Sequence, residues 1–168
     1  MIVRPAIPLD AAAIAHVHVA TWRATYAGIV PQTYLDDLSE ADFTGRWTDW
    51  LTRPDILICV AETDGTIIGF ASGGPIRKPK ANCDAELYAI YLLSEMQHRG
   101  VGQKLVAHVE HQLIQHNHKQ ILAWVLRDNP ATLFYAHLGG EIVAEDLIEI
   151  GGVTLPELAY AWPLNPRA

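Results

Sequence analysis

The stretch Glu86–Gly102, ELYAIYLLSEMQHRGVG, decides the fold of this 168-residue chain. Its first half, Glu86–Leu93, is rich in Leu, Ile and Tyr and predicts a β-strand. Its last six residues, Gln97–Gly102, carry two glycines and lead into a helix predicted over Gly100–Asn117, where apolar residues recur at four-residue spacing. Another strand is predicted at Gln120–Leu126. A strand–helix–strand unit of this length predicts a parallel, right-handed crossover.

The segments on either side of this unit predict antiparallel strands and further helices. The pair Asp64-Gly65 is typical of a hairpin turn, because both residue types tolerate positive φ. Asp10 is predicted to cap the first helix by accepting its first-turn amides, and Ser39 with Asp42 resembles a capping box. Strands are predicted at Ile2–Pro5, Ile56–Ala61, Ile67–Ser72, Glu141–Ile150 and Val153–Trp162, and helices at Ala11–Tyr26, Pro31–Leu38, after Ser39, and from Pro130 to Gly139.

Together these elements predict an α/β (α+β) fold. Its centre is a mixed, mostly antiparallel sheet that contains one parallel strand pair and has helices on both faces. The chain shows no repeat, low-complexity segment or linker, so a single domain over residues 1–168 is expected.

The composition excludes several classes of partner. The net charge of −7 disfavours nucleic acid and anionic membranes, although a local basic spot can still hold a phosphate. No apolar run approaches the roughly 20 residues that span a bilayer, and the first ten residues do not resemble a signal peptide, so a cytoplasmic location is expected. Cys59 and Cys83 form no Cys-x-x-Cys motif.

Histidines are frequent on and after the helix at Gly100–Asn117. His108 and His111 stand three residues apart, a spacing that metal sites can use, but no His-Glu-x-x-His pattern accompanies them. A solvated helix face is the favoured interpretation, and no metal is expected.

The turn at Gln97–Gly102 has the chemistry of an anion site. Gly100 can take conformations that a β-carbon forbids, and the first amides of a helix have no internal acceptor. These amides and the helix dipole suit a pyrophosphate, and Arg99 adds a charged donor. The alternative is that Gly100 and Gly102 serve only a tight strand-to-helix turn. The pattern is neither a P-loop nor a dinucleotide fingerprint.

A wider pattern resembles a known superfamily. Gln97-x-x-Gly100-x-Gly102, after an apolar strand and before an amphipathic helix, resembles the acetyl-CoA motif of the Gcn5-related N-acetyltransferases. Asn129, then Tyr135 six residues on, is similar to the second half of that cofactor site. The run Trp22-Arg-Ala-Thr-Tyr26 resembles a prokaryotic branch that acts on small molecules. Ser94 and Gly140 depart from the usual proline and aromatic residue.

The resemblance implies a splayed parallel strand pair and acetyl-CoA as co-substrate. The pantetheine arm is expected to pair with the main chain at Leu92 and Leu93, and the amides from His98 to Gln103 to hold the pyrophosphate. The cofactor-binding residues so implied are Leu92, Leu93, Gln97, His98, Arg99, Gly100, Val101, Gly102, Gln103 and Asn129.

The implied reaction is direct attack of a small-molecule primary amine on the thioester within a ternary complex. The alternatives are acetylation of protein lysines or N-termini, and a non-catalytic CoA-binding regulatory module. Tyr135 is the implied acid for the leaving thiolate, against the alternative of a buried core aromatic. Glu86 is the candidate base, against a solvated carboxylate. Strand parity places Glu86 on the same face as Tyr88, Ile90 and Leu92.

An acceptor site is expected beside the first helix. Trp22 and Tyr26 are four residues apart and share a helix face, where they form either an aromatic wall for the substrate or part of the core. Arg23 is a candidate for a substrate carboxylate, with a surface salt bridge as the alternative. The acceptor is not identified by the sequence, and a homodimer is compatible with it.

Overall fold

The computed structural model describes residues 1–165 and shows the predicted α/β architecture. The described residues form seven strands and five α-helices. The strands are β1 (Ile2–Pro5), β2 (Leu57–Thr63), β3 (Thr66–Pro75), β4 (Ala85–Leu92), β5 (Gln120–Leu126), β6 (Glu141–Ile150) and β7 (Val153–Pro163). The helices are α1 (Ala11–Thr25), α2 (Gln32–Asp36), α3 (Glu40–Trp50), α4 (Val101–Gln115) and α5 (Thr132–His137).

The strands form one sheet in the order β1-β2-β3-β4-β5-β7-β6. All neighbours are antiparallel except β4 and β5, which are parallel and connected through α4, as predicted. This parallel pair is short. Ala85 pairs with Ile121 and Glu86 with Leu122, and beyond these two pairs the strands part. The remaining residues of β4 therefore have a paired edge toward β3 and an open edge toward β5.

A β-bulge at Tyr88 accompanies the parting. The pairing of β3 with β4 shifts between Ser72–Ala89 and Gly73–Leu87, which leaves Tyr88 as the extra residue. A bulge bends its strand and increases the local twist, and it turns every later side chain to the other face.

The bulge overturns one expectation from strand parity. Ala85 and Leu87 pack with α4, and after the bulge Ile90 and Leu92 pack there as well. Glu86, between Ala85 and Leu87, therefore points to the opposite face. The prediction that Glu86 shares a face with Ile90 and Leu92 is wrong, because one inserted residue changes the alternation.

The two faces of the sheet are covered by different helices. On one face α4 buries Val101, Leu105, Val109 and Leu113, which confirms the predicted four-residue stripe. On the other face α1 and α3 pack around Phe70 of β3. No helix within residues 1–165 is both long enough and apolar enough to cross a membrane.

Local signals for turns and caps are largely confirmed. Asp64 and Gly65 have φ of 49° and 77°, as a two-residue hairpin requires. The Ser39 Oγ accepts a hydrogen bond of 3.1 Å from the Asp42 amide at the start of α3. Asp10 differs from the prediction, because its carboxylate accepts the Ile7 amide (2.8 Å) and two donors of Arg4 instead of capping α1. This ion pair links β1 to the start of α1.

His18 is a buried polar residue in the layer between α1 and α3. Its Nδ1 accepts a hydrogen bond of 3.2 Å from the Trp47 indole, and the ring of Phe43 lies 4.1 Å away, centroid to centroid. Burial, followed by the charge of Arg46, lowers the pKa of His18 from 6.5 to about 4. His18 is therefore neutral in the folded protein at neutral pH.

We predict that His18 makes stability depend on pH. The unfolded chain binds a proton at His18 near pH 6.5 and the folded chain only near pH 4, so the free energy of unfolding falls as pH drops through this window. The loss approaches about 3 kcal/mol for this shift. His18→Gln should flatten the dependence, measured by urea unfolding between pH 4 and 7. His16→Gln, on the exposed side of α1, is the matched control, and an unchanged slope in His18→Gln would contradict the prediction.

Candidate active site

The loop between β4 and α4 places an array of backbone amides at the helix start. Ser94–Met96 makes a single 3-10 turn after β4. His98 and Gly100 then take left-handed conformations, with φ of 58° and 76°. Gly100 is the N-cap of α4, and the Gln97 amide side chain donates to the Leu92 carbonyl at 3.3 Å, which ties the loop to the end of β4.

The amides from His98 to Gln103 have no acceptor within residues 1–165. The helical ladder begins only with the Lys104 amide, which donates to the Gly100 carbonyl at 3.3 Å. His98, Arg99 and Gly100 are exposed, so the array faces solvent. Successive free amides at the positive end of a helix dipole form an anion-binding concavity.

The two glycines of the loop serve different purposes. A β-carbon at Gly100 would meet no atom within 4 Å, so its positive φ is what favours glycine there. A β-carbon at Gly102 would lie 3.2 Å from Cε2 of Phe134, so Gly102 permits α4 and α5 to approach each other. Gly102 thus serves helix packing inside α4 and not a tight turn, while Gly100 shapes the turn that carries the amides.

The open edge of β4 begins where β5 departs. Successive residues of a strand direct their amides to opposite edges. The Leu93 amide donates to the carbonyl of Ile68 in β3 at 3.0 Å. The amides of Leu92 and Ile90 therefore point to the other edge of β4 and face the opening. The Leu92 carbonyl accepts from the Thr21 hydroxyl at 3.3 Å. Of the two predicted pairing positions, Leu92 has the free amide and Leu93 does not.

Tyr135 lies on α5 among aromatic rings. Its ring is 5.8 Å from that of Tyr160, nearly parallel, and 6.2 Å from that of Trp162. Burial, and then the nearby phenol of Tyr26, raise the pKa of Tyr135 above its usual range. The Tyr135 hydroxyl has no hydrogen-bond partner among residues 1–165, so the buried aromatic is also a free donor.

Asn129 connects α5 to α1. Its Nδ2 donates to the Tyr26 hydroxyl at 3.1 Å, and its Oδ1 accepts the Ala131 amide at 2.9 Å. The side chain is buried, and the second contact closes an Asx turn just before α5, whose N-cap is Ala131. Asn129 therefore anchors the turn before α5 and fixes the Tyr26 hydroxyl near Tyr135.

Trp22 and Tyr26 pack together at the end of α1, where Tyr26 belongs to a core cluster and Trp22 lies against it. The rings of Trp22 and Tyr26 are 4.5 Å apart, and Tyr34 of α2 lies 6.1 Å from Trp22. Tyr26 is buried, whereas Trp22 is partly exposed. The Trp22 Nε1 is buried without a hydrogen-bond partner in the described part of the chain. Burial raises the pKa of Tyr91 and the nearby Trp22 indole lowers it, although the two side chains are not in hydrogen-bond geometry.

Arg23 is engaged with the backbone of α2. Its Nε donates to the Leu35 carbonyl at 3.1 Å and its Nη2 to the Leu38 carbonyl at 2.8 Å. These two backbone carbonyls occupy the guanidinium, where the sequence analysis considered a substrate carboxylate or a surface salt bridge. Arg23 positions α2 against α1, which holds Tyr34 beside Trp22.

Glu86 is buried and paired, not solvated. It is 3% exposed at the point where β4 and β5 part. Its carboxylate accepts the Arg77 amide (3.1 Å), Nε (3.2 Å) and Nη2 (2.5 Å). The Arg77 guanidinium also lies 4.8 Å above the Tyr88 ring. The alternative of a solvated carboxylate is therefore wrong.

Two charged residues near this point escaped the sequence analysis. No sequence pattern singles out Arg77, and Glu157 of β7 lies within the strand predicted at Val153–Trp162. Glu157 faces the same group of charges, since Glu86 and Arg77 both influence its pKa. No local motif marks either residue, because they meet Glu86 only through the pairing of β5 with β7 and the path of the β3–β4 loop.

Comparison with known proteins agrees with this geometry. The model of the acetyltransferase (GNAT) family matches residues 19–139. The N-acetyltransferase YuaI of Bacillus subtilis is 42% identical over 162 residues, covering 96% of this chain and 92% of YuaI.

Solved structures share the fold. The YncA structure from Salmonella typhimurium, which contains acetyl-CoA, has a TM-score of 0.73 at 20% identity and covers 100% of this chain and 96% of its own. The PaiA N-acetyltransferase from Thermoplasma acidophilum, in complex with coenzyme A, has a TM-score of 0.68 at 22% identity, with 94% of this chain and 96% of PaiA covered. With the splayed strands and the free amides at α4, these matches lead to one conclusion: the chain belongs to the acetyltransferase (GNAT) family of N-acetyltransferases.

Proposed function

We propose that this N-acetyltransferase moves the acetyl group of acetyl-CoA to the primary amine of a small molecule, by direct attack in a ternary complex. The observation that carries the donor half is the run of unpartnered amides from His98 to Gln103. These amides bind the pyrophosphate, and the exposed Arg99 adds charge. The CoA-bound structures of YncA and PaiA support this assignment.

The open edge of β4 supplies the next contacts. The pantetheine arm lies between β4 and β5, where Leu92 offers its free amide. Acetyl-CoA supplies a thioester whose carbonyl carbon is the electrophile. The amide of Ile90 or Leu92, next to Tyr91, donates to the oxygen of that carbonyl as it gains negative charge.

Tyr135 is the proton donor for the sulfur of the leaving thiolate. Its raised pKa keeps the phenol protonated at neutral pH, and its hydroxyl is not engaged elsewhere in the described chain. A phenol positioned beside the sulfur can donate a proton to the thiolate as it leaves. Asn129 supports this arrangement through Tyr26, whose phenol lies close to Tyr135.

The acceptor approaches from the α1–α2 face, where Trp22 and Tyr26 form a wall with Tyr34. The turn between β6 and β7 closes on this wall, because a β-carbon at Gly151 would lie 2.9 Å from the Tyr34 Cβ. Such closure supports a small molecule over a protein lysine or N-terminus, which remains the alternative.

Arg23 stays a predicted contact for a substrate carboxylate. Glu86 stays a predicted base, although three donors of Arg77 occupy its carboxylate.

The test of the proposed function is thiol release from acetyl-CoA with a panel of amines: phenethylamine, putrescine, free lysine and a peptide with an N-terminal alanine. Acetylation of one or more small amines, with little turnover of the peptide, is the expected result. Preference for the peptide would favour the protein-acetylating alternative. Binding of CoA without turnover of any amine would favour a regulatory module.

We predict that Gly100→Val abolishes CoA affinity while the fold is kept. A β-branched residue is strained at a φ of 76°, so the loop rearranges and its amides no longer converge. Loss of two charge-assisted hydrogen bonds weakens binding by roughly 100-fold or more. Calorimetric titration with CoA measures the effect. Gly65→Val, at a φ of 77° with equally open surroundings in the β2–β3 turn, is the control and should bind normally. Unchanged affinity in Gly100→Val would remove the loop from the cofactor site.

We also predict that Tyr135→Phe lowers turnover far more than CoA affinity. Phenylalanine keeps the stacking on Tyr160 and Trp162 but cannot donate a proton, so kcat should fall about 100-fold. Tyr160→Phe, which removes a hydroxyl from the adjacent ring, is the control. Steady-state kinetics and calorimetry separate the two effects, and unaltered kcat would exclude Tyr135 as the acid.

A further inference from the structure

Three donors of Arg77 already occupy the carboxylate that the sequence names as the candidate base. Glu86 is buried, and its two oxygens accept three hydrogen bonds from Arg77. Protonation of Glu86 would weaken these charge-assisted hydrogen bonds, although the Arg77 side chain itself is largely exposed. The contacts of Glu86 suit a residue that positions Arg77.

A second carboxylate occupies the same face of the sheet and is not engaged in this way. Glu157 of β7 pairs with Leu126 of β5 on one side and Asp146 of β6 on the other. Leu155, two residues earlier, packs with α1 and α2, whereas Leu158, the next residue, packs in the α4 cluster, so Glu157 points to the α1–α2 face. It is partly exposed and makes no hydrogen bond with residues 1–165.

Glu157 also stands beside the open half of β5. The β4–β5 pairing ends at Leu122, and Leu126, opposite Glu157, belongs to the part of β5 that has separated from β4. An amine that approaches the opening from the α1–α2 face therefore passes the Glu157 carboxylate.

The surrounding charges favour a proton on this group. Burial is the main cause of the raised pKa of Glu157, followed by the carboxylate of Asp146. Arg77 and Lys78 of the β3–β4 loop lower it, and Glu86 of β4 raises it. Arg127, which follows β5, is paired with Glu145. A carboxylate whose proton affinity exceeds that of an exposed glutamate is the better base near neutral pH.

Resting on the proposed function, we propose that Glu157 accepts the proton of the acceptor amine, directly or through one water, while Glu86 holds Arg77 in place. The N–H bond breaks toward Glu157, and the nitrogen electron pair attacks the thioester carbonyl carbon. The C–N bond forms, the C–S bond breaks, and the sulfur takes a proton from Tyr135. Glu157 then releases its proton to solvent, and Tyr135 recovers one.

The test uses the full chain, acetyl-CoA and the amine that the wild type acetylates fastest in the panel. Glu157→Gln keeps the shape of the side chain but cannot take a proton. It should lower kcat/KM about 100-fold, with unchanged calorimetric affinity for CoA, and should remove the acidic limb of the pH profile. Glu157→Asp should retain that limb with partial activity. Glu149→Gln, an exposed charge on β6 of the same hairpin, is the matched control and should behave as wild type.

Each other outcome overturns the proposal in a distinct way. Equal pH profiles for Glu157→Gln and the wild type would exclude Glu157 as the proton acceptor while leaving the proposed function intact. An acidic limb lost in Glu86→Gln but kept in Glu157→Gln would return the role to Glu86. If the wild type acetylates no amine at all, the proposed function fails and this assignment fails with it.

Discussion

The separation of β4 from β5 after two residue pairs is the constraint on which the site depends. Parallel strands joined by a helix normally pair along their length, and here the bulge at Tyr88 bends and twists β4 where the partner departs. The separation leaves backbone donors of β4 without partners inside the sheet. Such donors are costly to bury unpaired, so an opening of this kind suits a ligand that pairs as a strand does.

The same separation brings three different chemical surroundings together. Backbone amides at the start of α4 are suited to anions and depend on loop geometry, not on side-chain identity. Around Tyr135 the surroundings are aromatic and neutral, which keeps a phenol protonated. On the α1–α2 face, carboxylates and Arg77 create a charged environment. In the proposed reaction, the anion site, the neutral proton donor and the proton-accepting carboxylate thus surround a single opening.

Several polar side chains near the proposed acceptor site hold neighbouring groups in place. Arg23 holds α2 by its carbonyl groups, Asn129 holds the Tyr26 hydroxyl, and Arg77 is held by Glu86. Each of these polar groups is satisfied by a structural contact. The groups without such contacts in the described chain include the loop amides and the Tyr135 hydroxyl, which the proposed reaction uses.

The sequence alone determined most of the helices and strands, and it predicted the loop that we propose as the donor half of the site. The four-residue stripe of α4, the Asp64-Gly65 turn and the Ser39 cap are local features, written in spacing and in residue types with narrow conformational preferences. The Gln97–Gly102 loop is local as well, because its function rests on a glycine and on the unpaired amides that every helix start has.

Only the tertiary structure decided the acceptor half. One bulge reversed the face of Glu86, and the ion pair with Arg77, nine residues earlier, engaged its carboxylate. The β5–β7 pairing brought Glu157 beside the opening from the far end of the chain. These outcomes depend on strand register and on contacts between distant segments. A shift of a single residue in the register exchanges the two faces of a sheet, and no local pattern encodes such a shift.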